Sequence, residues 1–339
     1  MNPFPIAGLK QSGPLALVRA PGATGLCLRS LLRSLADNRL NLAMLAWQQG
    51  PDPEMGLCFC VEQMWGGAAL ALAQEKAHTH NLPQPSLLNH LTAITTYPLG
   101  RNLKLPSLLF SALNQAGLSP LAMATSLSAV VTLLAAEDLG PALQTMRGAF
   151  DLPPCVSPPS AGIKVVQIDS DSHGAALAEP VSDETVAVYS ERPVSCYGLK
   201  AEQGLELWQA RPKAREWAAS ALALTGCEPS PGLSFMSVYW LNDSCSLSIC
   251  LPPDQASLLA EASALSGTGP QPVNLIHLQG PHFGDRPGIA AQALQGLDEA
   301  EVDPLAISGV VHSLFLAVEP QNAHAALSGL ACRFCGPKR

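Results

Sequence analysis

The reading of this chain turns on Leu15–Val61, LALVRAPGATGLCLRSLLRSLADNRLNLAMLAWQQGPDPEMGLCFCV. Leu15–Ala20 has the period-two pattern of a half-buried strand. Pro21–Gly25 (PGATG) is turn composition, because proline presets φ and glycine tolerates positive φ. Leu28, Leu31, Leu32 and Leu35 recur at helical spacing and predict a helix over Leu26–Asp37. Asn41–Gln48 reads as a strand of buried character and Pro51-Asp52-Pro53 as a turn. Met55–Val61 (MGLCFCV) reads as another strand and Gly67–Glu75 as a second helix. The order is β-α-β-β-α, and one further strand would close a ferredoxin-like split βαβ sheet.

The same order returns near the other end. Val273–Gln279 reads as a strand, Gly284–Gly288 as a turn and Ile289–Ala300 as a helix. Asp303–Gly309 and His312–Val318 read as paired strands, followed by a helix over Ala323–Leu330. Two internal repeats tie these regions together. Residues 6–20 align with 196–210 without a gap, placing Gly8-Leu9-Lys10 over Gly198-Leu199-Lys200. Residues 109–146 align with 293–330, placing Pro120-Leu121-Ala122 over Pro304-Leu305-Ala306. One half of the chain thus occurs twice, and each half is itself two smaller units. Proline-rich Pro153-Pro154 through Pro158-Pro159-Ser160 separates the halves, because such density forbids a continuing helix. His78–Ser86 (HTHNLPQPS) divides the first half and Ser266–Pro272 (SGTGPQP) the second.

The resulting expectation is an α+β chain of four ferredoxin-like βαββαβ units in two tandem pairs. They occupy residues 1–77, 87–152, 196–265 and 272–335, and their boundaries interleave within a pair. Residues 153–195 are read as a linker with extra strands at Ile163–Ile168 and Thr185–Tyr189. The composition fits. Apolar residues make up 47% of the 339, enough for packed cores, and only 14% are charged, which excludes charge-driven disorder. A net charge of −8 argues against a nucleic-acid partner. No stretch offers about 20 uninterrupted apolar residues for a membrane span. The start of the chain lacks a basic segment before an apolar one, which argues against a secretory signal. The ten cysteines are scattered through apolar runs, the pattern of a reducing compartment, so a cytoplasmic location is expected. Cys58 and Cys60 alternate in a strand and read as core, as do Trp208, Trp217 and Trp240. Cys332-Arg333-Phe334-Cys335 lacks the second pair that a zinc site uses, so no metal or cofactor is expected.

The strand, Pro-Gly turn, helix and hairpin strands resemble the ACT domain. More narrowly, residues 1–152 resemble the paired ACT regions at the C-terminus of aspartokinases. The residues carrying the likeness are Ala7-Gly8-Leu9, Pro21–Gly25, Arg33–Asp37 and Leu40–Leu45 in the first unit, and Phe110–Leu113, Ala116–Leu118, Ala124–Ser126 and Gly148–Leu152 in the second. Gly284-Asp285-Arg286-Pro287-Gly288-Ile289 supplies the ligand turn of the fourth. The third unit is recognisable through its repeat match to the first. The aspartokinase catalytic domain needs more chain than lies outside the four units, and no Gly-rich phosphate loop with a lysine is present. The resemblance therefore implies a non-catalytic regulatory protein that binds a small amino acid at ACT–ACT interfaces. It also implies a partner enzyme of amino-acid metabolism, such as an aspartokinase, or a homodimer. The alternative is a ligand-free ACT pairing module.

The chemistry of such a turn is simple. Unpaired N–H groups at a helix N-terminus accept a carboxylate, and glycine lets the ligand approach the backbone. Proline at the first helical position sacrifices no useful N–H. Asp285 either pairs with a ligand ammonium or caps the helix that follows. Arg286 is expected to face solvent. In the first unit Gly22, Thr24 and Ala43 depart from the aspartokinase pattern. Binding there would rest on backbone around Ala23, Thr24, Gly25 and Leu26 and on the amides of Asn41 and Gln48. Lys104 replaces the turn glycine in the second unit, and Arg211-Pro212-Lys213 lacks one in the third, so both read as structural. His282 and His312 fall near the ligand edge of the fourth unit. The two halves are expected to associate about a pseudo-two-fold axis, with ligand between units of opposite halves.

Overall fold

A computed structural model describes residues 4–49, 56–101, 103–151, 194–213, 216–217, 219–221, 232–241, 244–255, 267–281 and 283–336. The strands anticipated at Ile163–Ile168 and Thr185–Tyr189 lie outside these residues, as do the linker positions 153–193.

The first half runs β1 (Phe4–Pro5), β2 (Gly8–Pro21), α1 (Gly25–Asp37), β3 (Met44–Gln48), β4 (Gly56–Glu62), α2 (Gly66–Thr79), β5 (Ser86–Tyr97), α3 (Lys104–Gln115), β6 (Ala122–Thr125), β7 (Val130–Ala135), α4 (Leu139–Ala149) and β8 (Phe150–Asp151). The second half runs β9 (Val194–Ser195), β10 (Gly198–Ala210), β11 (Phe235–Leu241), β12 (Ser244–Leu251), β13 (Gly267–Gln279), α5 (Ile289–Glu299), β14 (Ala306–Val310), β15 (Ser313–Val318), α6 (Ala323–Ala331) and β16 (Phe334–Cys335).

Twelve of these strands close one antiparallel ring, in the order β10-β12-β11-β6-β7-β5-β2-β4-β3-β14-β15-β13. The fold is mixed α+β built on this large antiparallel sheet. The order repeats after six places, so β2 stands opposite β10 and β5 opposite β13. Six antiparallel steps also make β2 and β10 run the same way. Their N-terminal ends therefore lie at the same end of the ring. The halves join edge to edge at two seams. At one, β3 pairs with β14 from Ala306↔Gln48 to Val310↔Met44. At the other, β6 pairs with β11 over Ser237↔Ala124, Val238↔Met123 and Tyr239↔Ala122. Every residue of β3 is buried. An open edge of that composition would invite aggregation, and ring closure removes it.

The long strands change neighbours along their length. In β2, Leu15–Pro21 pair with β4, whereas Gly8–Ser12 pair only with β5. The ladder shifts at Gly13, whose φ of 145° few other residues adopt. In β10 the corresponding shift between Glu202 and Leu205 contains Gly204, with φ 68°. Ser266–Pro272 is not a break: β13 begins at Gly267 and runs through Pro270 and Pro272. That part of β13 pairs with β10 alone, because β15 joins only from Asn274 onward, so each proline has a side where no ladder bond is needed.

Alternation sorts the core. Leu15 and Leu17 face the ring interior with Met44, Cys58, Cys60 and Tyr239, while Ala16, Val18 and Ala20 face the helices. One outer layer gathers α1, α2, α5 and α6, with Leu28, Leu31, Leu32 and Leu35 of α1 at its centre, as the helical spacing predicted. There α5 and α6 cross so closely that a Cβ on Gly296 would come within 2.9 Å of the Gly329 carbonyl oxygen. The other layer packs α3 and α4 against the third region. Phe110 of the first half stacks on Trp240 at 5.5 Å and tilts against Trp217 at 6.0 Å. Among the described residues no helix is long and apolar enough to cross a membrane.

Candidate functional site

The β3·β14 seam sets the end of α1 against the turn that precedes α5. Helix α1 stops where Asn38 caps it and Arg39 takes φ 56°. Leu40 N–H then closes back on the Leu35 carbonyl at 2.9 Å. This tight exit delivers Asn41 to the opposite half. Asn41 Nδ2 donates to the Gly284 carbonyl at 2.6 Å, a contact between residues 243 apart in sequence. The turn is compact for its own reasons. A Cβ on Gly284 would meet the Val311 carbonyl oxygen at 2.9 Å, and Gly288 adopts φ 88°.

Gly288 is the N-cap of α5, and no side chain caps that helix. Pro287 precedes the cap, within the turn read from the sequence, and the left-handed cap conformation belongs to glycine. Asp285, exposed and three residues earlier, is not the cap. The expectation for Arg286 is corrected: it is 8% exposed and not turned to solvent. Ile289 is buried and anchors the first turn of α5.

The Asn41–Gly284 contact stands between two cavities. On one side lies an apolar pocket of about 40 Å³, walled by Leu32, Leu35, Leu45, Phe283 and Ile289, with Arg286 and the start of α5 at its edge. On the other side a cavity of about 620 Å³ opens at the mouth of the ring. Lys10, Glu62, Tyr97, Asp285 and His312 line it, together with Asn41. Burial raises the Tyr97 phenol above its ordinary value, so it stays protonated and can donate. Lys10, Glu62 and Tyr97 carry no local motif. Their one sequence signal is the match of Lys10 to Lys200 across the repeat.

The remaining anticipated positions lie elsewhere. Ala23 is buried, and its carbonyl accepts from Trp47 Nε1 at 2.7 Å. Thr24 caps α1 by accepting from Cys27 N–H at 3.3 Å. A Cβ on Gly25 would meet Arg29 Nη1 at 2.9 Å, and Leu26 is 70% exposed. This turn faces the far side of the same seam, where Arg29 pairs with Asp298 and, at 2.6 Å, with Asp303. Gln48 points into the ring. Its amide is clasped by Ser246 and Ser248 of β12, because a buried amide must find partners. The structure thus brings Asn41 together with Gly284–Ile289 and leaves Ala23–Leu26 and Gln48 apart from them.

No family model matches the chain, and no curated protein matches it. Solved structures do. The crystal structure of aspartate kinase from Synechocystis superposes with a TM-score of 0.73 at 14% identity, covering 96% of this chain and 55% of that one. The ligand-free regulatory subunit of aspartate kinase from Thermus thermophilus matches at 18% identity and a TM-score of 0.38, over 43% of this chain and 99% of that one. The regulatory subunit from Thermus flavus matches at 17% identity and 0.39, over 43% and 99%. The chain has an aspartokinase-like fold and spans about half the length of the Synechocystis kinase. The expectation of a non-catalytic protein is corrected by the same finding, since the structure matched over 96% of this chain is that of an enzyme.

Proposed function

We propose that this chain is the amino-acid-sensing regulatory part of an aspartokinase-type enzyme, built as four ACT units in two tandem pairs. Each long strand closes one unit and opens the next, so the paired units share β2 and β5 in the first half and β10 and β13 in the second. The ligand is a small amino acid held at the seam between the first and fourth units. The observation that carries this reading is the Asn41–Gly284 contact, which joins opposite halves beside a cavity of ligand size.

The chemistry fits a zwitterion. Lys10 offers a cation for the carboxylate and Glu62 an anion for the ammonium, both on one 620 Å³ cavity that Asp285 also lines. The uncapped start of α5 adds backbone N–H donors. The adjoining pocket, of about 40 Å³, is far smaller than the cavity, which favours a small side chain. Ligand that bridges the two spaces would take over the bond Asn41 now gives Gly284. Binding would then change how the halves meet, and it can shift an equilibrium only by preferring one arrangement.

A thermal-shift screen against the twenty amino acids at millimolar concentration tests this. A ligand at a hundredfold excess over its dissociation constant adds about 2.7 kcal/mol of stability. One or two small amino acids should raise the melting temperature, and Asp285→Ala should reduce the rise. A flat screen on folded protein favours the ligand-free pairing module, whose support is the first turn already closed by Thr24 and Trp47.

A further inference from the structure

The ring has a second polar cavity, of about 490 Å³, at the same end and six strands away. Ladder registers make it the counterpart of the first. Lys10 pairs with Thr95 in β2·β5, and Lys200 pairs with His277 in β10·β13. Gly8 pairs with Tyr97, and Gly198 with Gln279. The second cavity carries its own set of charges. The acid of the second cavity, Glu202, is already engaged at both oxygens. Oε1 accepts from Ser234 Oγ at 3.0 Å and Oε2 from Arg101 Nη2 at 2.6 Å. Lys200, by contrast, has no ion pair among the described residues and lines the same cavity. His277 Nε2 lies 3.3 Å from Glu202 Oε2, out of line for a hydrogen bond, and is buried without another partner. Two cations, Lys200 and the Glu202-bound Arg101, and a histidine short of an acceptor thus surround a space whose one carboxylate among the described residues is engaged. Leu127 and Tyr197 give it an apolar wall.

We propose that this second cavity binds a small dicarboxylate without an ammonium group, its carboxylates meeting Lys200 and Arg101 and, below neutral pH, His277. The volume exceeds what an inorganic anion fills, and the Leu127–Tyr197 wall suits a carbon skeleton. Glu202 and Ser234 act as positioning residues that hold Arg101 across the gap between halves. The groups facing His277 are Glu202 and Lys200 on β10, Arg101 on the turn before α3, and the ring of Phe315 on β15 at 4.9 Å. Without ligand, burial lowers the His277 pKa below its ordinary value. A second anion would favour its protonated form, so binding should take up a proton.

The test is calorimetric titration of the whole chain with succinate at pH 6.0 and 7.5, in low salt, with inorganic phosphate as the comparison arm. Saturable succinate binding that is tighter at pH 6.0 is expected. Lys200→Ala should weaken it about tenfold, the worth of one charge-assisted hydrogen bond. His277→Gln should remove the pH dependence, and Asn41→Ala should leave succinate binding intact, which separates this site from the amino-acid site. No saturable heat with succinate at either pH, binding unchanged in Lys200→Ala, or phosphate binding without succinate would each overturn the assignment.

Discussion

The two mouths of the ring present the same backbone with different charges. At the first, β2 and β5 present Lys10 and Thr95 beside Glu62 and Asp285. At the second, β10 and β13 present Lys200 and His277 beside a Glu202 already bonded to Arg101 and Ser234. The seams differ too. β3·β14 is a long ladder with a cross-half amide contact at its end, whereas the shorter β6·β11 ladder leans on Phe110, Trp217 and Trp240. Duplication supplies two equivalent frames. Divergence of a few side chains at the ends of the long strands gives the two frames different charges.

The largest effect is expected from Trp47→Ala at the long seam. Trp47 is 2% exposed and its indole N–H holds the first turn through Ala23, so denaturant unfolding should show a loss of about 3–5 kcal/mol. Thr24→Ala removes the cap of α1 and should cost about 1 kcal/mol, read from the midpoint of the same urea curve. Arg29→Ala should cost about 0.5 kcal/mol, less at high salt. Arg29 is 18% exposed, but its partners Asp298 and Asp303 are 40% and 79% exposed, so water screens the pairs.

The pH dependence sharpens the contrast between mouths. Burial lowers His277 from 6.5, Glu202 opposes that shift and Arg101 adds to it. As pH falls through 6.5 the unfolded chain takes up this proton before the folded chain does. The folded state therefore loses stability over that window, and His277→Gln should flatten that part of a melting-temperature profile. Substituting Thr95, its counterpart at the first mouth, should leave the slope alone, since threonine does not titrate there.

Much of the frame was legible in the sequence. The leucine spacing of Leu26–Asp37 anticipates α1 to within a residue, and the repeat of residues 6–20 over 196–210 marks the two strands that stand opposite in the ring. The error at Ser266–Pro272 came from reading local proline as a break, when pairing on one side alone tolerates it. Asn41 and the Gly284–Ile289 turn could be singled out by residue type, but their meeting depends on how β3 finds β14, a contact no local pattern encodes. Gln48 misled for the same reason. Its amide looked available, yet β12 arrives from the other half to satisfy it. Arg286 misled because arginine is rarely buried, yet here it lines the pocket between the turn and α1.

In the proposed function the duplicated frame holds an amino acid at one mouth only, the one where Asn41 meets Gly284. Isothermal titration with the amino acid that most raises the melting temperature, run on the wild-type chain and on Asn41→Ala, tests it most directly. The account predicts one molecule bound per chain and its loss in Asn41→Ala. Two equal sites per chain, or binding that survives Asn41→Ala unchanged, would contradict it.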